Sequence, residues 1–146
     1  MILVETRSAG GTQKVARLLT QELRPSGKGA AVLALVGELG AGKTTFVQGF
    51  ARALGIKEKV LSPTFVLMKV YPLKRSRFRH LIHIDCYRIR KAREMSQLGL
   101  SGLLRNRGVV ILIEWADRIK KLVPPDALWI RFRHGPHPNG RIIQFL

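Results

Sequence analysis

The run from Ala30 to Phe46, AAVLALVGELGAGKTTF, constrains this chain more than any other stretch. Ala30 to Val36 is a continuous apolar segment of strand length, which predicts a strand buried on both faces of a sheet. Gly37, Gly42, Lys43 and Thr44 follow at once in the spacing G-x-x-x-x-G-K-[ST], and Thr44 to Leu54 reads as a helix closed by Gly55. Glycines let the backbone wrap an anion, so that successive N–H groups and the helix N-terminus point at phosphate oxygens. The segment Gly37, Glu38, Leu39, Gly40, Ala41, Gly42, Lys43, Thr44 and Thr45 is therefore a candidate nucleotide cradle. Lys43 is placed for the β and γ phosphates and the Thr44 hydroxyl for Mg²⁺.

A phosphate cradle needs acids to hold Mg²⁺ and to position water, and an open α/β sheet offers them at the C-terminal ends of its strands. Two apolar runs end that way: HLIHID closes on Asp85 and VVILIE on Glu114. Both are candidates for Mg²⁺ ligation and for orienting the attacking water, although an acid in such a place also caps a following helix. Thr64, in the turn sequence Ser62-Pro63-Thr64, reads either as an ordinary turn residue or as a hydroxyl that senses the γ-phosphate. His83 reads as a packed strand histidine and Trp115 as core.

Around these motifs the chain alternates strand and helix patterns. Ile2 to Thr6 is β-like, and Thr12 to Leu23 has helical spacing with Thr12 available as its N-cap. Phe65 to Tyr71 alternates as a strand, Pro72 to Arg79 is a basic loop, and Glu94 to Leu104 reads as one helix. Pro124-Pro125 stops a short helix after Trp115, and Leu128 to Arg133 with Arg141 to Leu146 form a terminal hairpin. The expected fold is α/β: a P-loop domain spanning 1–146, with a largely parallel central sheet flanked by helices and an antiparallel C-terminal hairpin.

Lys and Arg number 26 against 9 Asp and Glu, a net charge of +17, so nucleic acid is the first polyanionic partner to consider. A solvated Arg-rich surface is the bland alternative. The one cysteine, Cys86, excludes an internal disulfide and points to a reducing, cytoplasmic compartment. No apolar run approaches the roughly 20 residues of a membrane span, so no membrane partner is expected. Asn-Lys-x-Asp and Asp-x-x-Gly are both missing, which disfavours a Ras-like GTPase. A small-molecule kinase remains open, since Gly40 also satisfies the G-x-x-G-x-G-K-T form. So does a basic RNA-binding protein with a regulatory nucleotide.

GELGAGKTTF, SPTF (Ser62 to Phe65), HIDCYR (His83 to Arg88) and EWADR (Glu114 to Arg118) occur in one order along the chain. In that order and spacing they resemble the motifs of the bacterial tRNA threonylcarbamoyladenosine biosynthesis ATPase family, TsaE. The resemblance implies an Mg²⁺-dependent ATPase whose ATP cycle supports turnover of TsaD and TsaB in modifying adenosine 37 of tRNA, without itself transferring the threonylcarbamoyl group. It implies Lys43 and Thr44 as phosphate and Mg²⁺ residues, Glu114 as the acid at Mg²⁺, and Asp85 as the site's other acid. It also implies Thr64 on the γ-phosphate side, Trp115 beside the active site and Thr12 near the base or ribose. One departure is basic: where that family usually carries an acidic run, Ile89 to Gln97 reads IRKAREMSQ and keeps only Glu94. With KRSRFR and RNR, this charge is suited to direct contact with a tRNA backbone.

Overall fold

The computed structural model describes residues 1–62 and 67–146. Among them, seven strands form one sheet in the order β1-β7-β6-β2-β5-β4-β3. These are β1 Ile2–Thr6, β2 Ala31–Gly37, β3 Met68–Pro72, β4 His80–Asp85, β5 Val109–Glu114, β6 Leu128–His134 and β7 Arg141–Phe145. The centre, β6-β2-β5-β4, is parallel throughout. Antiparallel pairs finish both edges, β3 on β4 at one side and the β6-β7 hairpin with β1 at the other. β2 and β5 are central, as their uninterrupted apolar runs require, because a strand covered on both faces has no wet side for polar alternation.

Helices α1 Ala9–Glu22 and α2 Lys43–Ala53 cover one face, where Ala16, Phe46, Val47 and Phe50 pack on Leu33, Leu35, Leu112 and Phe132. The other face is covered by α3 Arg93–Gln97, α4 Leu100–Leu104 and a 3-10 segment, Ala116–Leu122. There Met95, Leu100 and Ile119 pack on Ile82, Ile84, Ile111 and Ile113. No helix of the described residues is long and apolar enough to cross a membrane. Cys86 is buried in this second layer, and burial pushes its thiol up to about 12, so it packs as a small apolar side chain.

Three local expectations are corrected. The first helix begins at Ala9, and its N-cap is Ser8, whose hydroxyl accepts the Gly11 N–H at 3.0 Å; Thr12 lies inside the first turn. The expected helix from Glu94 to Leu104 is two helices, because Gly99 takes a left-handed φ of 85° that no helix can continue through. The strand expected from Phe65 runs from Met68, with Phe65 and Val66, like Pro63 and Thr64, outside the described residues. Glu94 accepts the backbone N–H groups of Lys91 at 3.1 Å and Arg90 at 2.8 Å, which hold its carboxyl below the usual range. It is thus a local cap on a basic loop.

Helices α1 and α2 cross at Gly49, where an added Cβ would lie 2.6 Å from the Gln13 Cα. Gly49→Ala is expected to cost about 1–3 kcal/mol through overpacking. The check is a lower denaturant midpoint at unchanged slope.

Candidate functional site

β2 delivers the chain to the Gly-rich loop at Gly37, which sits so close to β6 that a Cβ there would lie 2.3 Å from the Phe132 carbonyl oxygen. A bend from Glu38 to Ala41, closed by the Ala41 N–H on the Glu38 carbonyl at 3.1 Å, then turns the loop toward α2. Gly42 caps α2 in a left-handed conformation, φ 109°, and contributes no side-chain hydrogen bond. The N–H groups of the first turn therefore face the loop's concavity, where the helix dipole also favours an anion.

Lys43 is nearly buried, 4% exposed, and its ammonium donates to the carbonyls of Gly37 at 2.5 Å and Glu38 at 2.8 Å. An ammonium carries three donors, so one remains for a ligand. Nζ also lies 4.2 Å from the centre of the Trp115 ring, a cation–π contact. Burial lowers the Lys43 pKa from its ordinary value, and the carboxylates of Glu114, Asp85, Asp117 and Glu38 oppose that shift.

Glu114 and Asp85 stand side by side in register at the ends of β5 and β4. Thr44 Oγ1 donates to Glu114 Oε1 at 2.8 Å, and His83 Nε2 meets Glu114 Oε2 at 2.5 Å. An ionised carboxylate has no proton to give, so His83 is the donor there. Asp85 accepts the Tyr87 backbone N–H at 2.9 Å and the Ser62 hydroxyl on its other oxygen. The role of His83 escaped sequence reasoning. The two-residue spacing of His83 and Asp85 places them on one strand face, but only the parallel register, which sets Glu114 beside Asp85, brings its carboxylate within reach of His83 on the diagonal.

The other wall is aromatic. Trp115 takes a left-handed backbone, φ 57° and ψ 40°, which swings its ring over Lys43. Tyr87 packs against it at 5.1 Å between ring centres, and the Arg118 guanidinium lies over both rings and donates to the Tyr87 carbonyl. Trp115 is thus a wall of the site as well as a neighbour of the core. Between these walls lies a cavity of about 310 Å³, open onto Lys43, Thr44, Asp85 and Glu114.

A second hollow of about 340 Å³ adjoins it across Gly42 and Thr45, bounded by Ser8, Thr12, Asn139 and Arg141. Thr12 lines it, although its buried hydroxyl is shared with Thr6 Oγ1 at 2.9 Å. Arg141 steadies the Gly-rich loop by donating to the Gly40 carbonyl at 3.0 Å. Of the expected site residues, the structure brings Lys43, Thr44, Asp85, Glu114 and Trp115 to one cavity and leaves Thr12 on the adjoining hollow. Thr64 lies outside the described residues.

Thr44 Oγ1 and Glu114 Oε1 are hard oxygen donors of the kind Mg²⁺ accepts. Among the described residues no cluster of three or more His, Cys, Asp or Glu able to hold a metal occurs. This donor set fits a cation that arrives with a nucleotide and completes its shell from phosphate and water.

Residues 6–143 match the family model described as "Threonylcarbamoyl adenosine biosynthesis protein TsaE". A tRNA threonylcarbamoyladenosine biosynthesis protein TsaE of Bacillus subtilis is 40% identical over 119 residues, covering 82% of this chain and 69% of that protein. The protein of the same name from Treponema pallidum is 37% identical over 102 residues, 70% of this chain and 72% of its own. That from Aquifex aeolicus is 38% identical over 104 residues, 70% of each. A crystal structure of Bacillus subtilis YdiB superposes with a TM-score of 0.76 at 34% identity, covering 99% of this chain and 83% of that one.

Proposed function

The chain belongs to the TsaE family of threonylcarbamoyl adenosine biosynthesis proteins, and on that premise we propose that it is an Mg²⁺-dependent ATPase of tRNA modification. Its residues 1–146 act as one P-loop unit, and its ATP cycle supports turnover of TsaD- and TsaB-type partners. The observation that carries the reading is the convergence of Lys43, Thr44 and Glu114 on one cavity at the mouth of a helix that no side chain caps.

The free donor of Lys43 and the first N–H groups of α2 hold the β and γ phosphates. Thr44 and Glu114 would hold Mg²⁺, which when bound offsets phosphate charge and polarises the γ-phosphoryl group. Asp85, fixed by the Tyr87 N–H and the Ser62 hydroxyl, lines the cavity and orients the attacking water. Hydrolysis joins the water oxygen to the γ-phosphorus as the bond to the ADP oxygen breaks. Trp115 and Tyr87 shield the site and strengthen its electrostatics. Thr12 and its hollow offer room for the base or ribose, and Thr64 is assigned the γ-phosphate side.

The test is ATP hydrolysis without an added acceptor, followed by a multiple-turnover tRNA modification assay with TsaD and TsaB. ADP release that rises when the partners are added supports the reading. A phosphorylated metabolite formed in step with ADP would identify a kinase instead.

His83 is a positioning residue in this scheme, because it pins one oxygen of Glu114 and leaves the other to Thr44. His83→Ala is expected to raise the Mg²⁺ concentration for half-maximal turnover by about 10- to 100-fold, as losses of supporting hydrogen bonds to metal ligands do. Nucleotide binding in EDTA should be unaltered. An unchanged Mg²⁺ requirement would reduce His83 to packing.

A further inference from the structure

The nucleotide site occupies the C-terminal ends of β2, β4 and β5, and the chain enters those strands at the opposite end through three loops. Arg24 and Lys28 follow α1 into β2. Lys74, Arg75, Arg77 and Arg79 lie between β3 and β4. Arg105 and Arg107 lead from α4 into β5. All eight cations are exposed, and residues 23–30, 73–79 and 104–108 contain no Asp or Glu. Among the described residues no ion pair to a carboxylate holds any of them.

These loops form one surface because each is tied to the others. The Ala30 N–H bonds to the Leu104 carbonyl at 3.0 Å, and the Arg79 N–H bonds to the Gly108 carbonyl at 2.7 Å. Arg77 donates to the Gln21 and Leu23 carbonyls at the end of α1, both at 3.3 Å. Phe78 is buried and anchors the middle loop, while the Arg79 guanidinium lies against Gly108. The like charges are therefore held in place by backbone contacts that do not neutralise them.

We propose that this platform binds the phosphate backbone of RNA, at the end of the sheet opposite the nucleotide site. The choice of RNA rests on the tRNA-modification reading above, and the chemistry agrees with it. Six of the eight cations are Arg, whose planar fork meets phosphate oxygens in pairs. None of the large apolar side chains exposed on the molecule lies in these three segments. The surface accordingly has nothing to insert into a bilayer and no aromatic ring on which to stack bases. That leaves backbone contact, which positions RNA without reading its sequence. The six-residue strands β4 and β5 set the platform roughly 20 Å from the acids of the site. RNA and nucleotide can thus be held together, with the ATP mouth left to the protein partners.

The experiment is fluorescence anisotropy of the whole protein with an unmodified tRNA transcript across a salt series. Vesicles of mixed phosphatidylcholine and phosphatidylglycerol serve as a second polyanion. Contact with about five phosphates gives a log–log slope near −4. Combined Lys74→Glu, Arg75→Glu and Arg105→Glu should lower tRNA affinity at least about 10-fold and flatten the slope by about 2–3, with ATP turnover at the wild-type rate. Should the triple charge reversal impair folding, the same three positions as Gln give the milder variant. Undiminished tRNA affinity in the variants, a slope shallower than about −1, or tighter binding to the vesicles than to tRNA would each overturn the proposal. Lost RNA binding with intact ATP turnover reports on this surface, whereas failure of the ATPase reading appears as absent turnover in the unaltered protein.

Discussion

Lys43→Ala is expected to lower ATP turnover by about 100- to 1000-fold, the cost of deleting a preorganised donor aimed at developing negative charge, while the chain stays folded. The side chain is buried, but what it touches is the loop itself, the Gly37 and Glu38 carbonyls and the Trp115 ring, rather than the apolar layers. The alkaline pH profile gives an independent reading of the same residue. Burial lowers the Lys43 pKa, so the free protein loses this ammonium below the ordinary lysine value of 10.5, and the alkaline limb of kcat/KM falls there. Between the folded and unfolded pKa values the unfolded chain binds more protons, so this group's contribution to stability rises with pH as activity declines. A decline in both together would place the titration elsewhere. Full threonylcarbamoyladenosine synthesis by Lys43→Ala in a reconstituted system would remove the ATP cycle from the function.

Glu114→Gln is expected to reduce Mg²⁺-dependent turnover by about 100-fold, at the upper end for disturbance of a metal's surroundings, yet to keep the fold. An amide has one oxygen to accept from Thr44, and its NH₂ can donate to His83 Nε2 if the imidazole proton moves to Nδ1. Nδ1 is buried without a hydrogen-bond partner among the described residues, so that tautomer breaks no existing bond. Only the negative charge is lost. Single-turnover rates against Mg²⁺ concentration, together with thermal unfolding, check both halves. A variant that turns over normally would pass the metal role to Asp85.

What was legible before the structure was whatever strand chemistry encodes locally. β1, β4 and β5 carry the expected boundaries, and the strand and helix around the Gly-rich loop shift by one residue. The acids at 85 and 114 were readable because each ends an apolar run, and the parallel register then makes them neighbours. Partnerships across strands were not readable. Nothing local in HLIHID says that His83 faces Glu114, nor does helical spacing in the Leu98-Gly99-Leu100 region disclose the left-handed turn at Gly99. Helical spacing with Thr12 as a cap starts the first helix three residues late, whereas Ser8 supplies the cap and Gly10 and Gly11 lie inside the first turn. The basic platform is scattered over 84 positions, from Arg24 to Arg107, and becomes one surface only through the hydrogen bonds that tie its loops.

Trp115 is the sole non-glycine residue with positive φ among the described residues. A left-handed conformation in such a residue costs of order 1–2 kcal/mol, so the turn after Glu114 is held away from its own optimum to keep an indole over the lysine. Selection for heat resistance alone would relieve that strain, since a glycine there restores the backbone's freedom at the expense of the ring. Thermal robustness and catalytic fitness would then diverge at this position, and a library screened only for survival on heating would gather variants that are sturdy but idle.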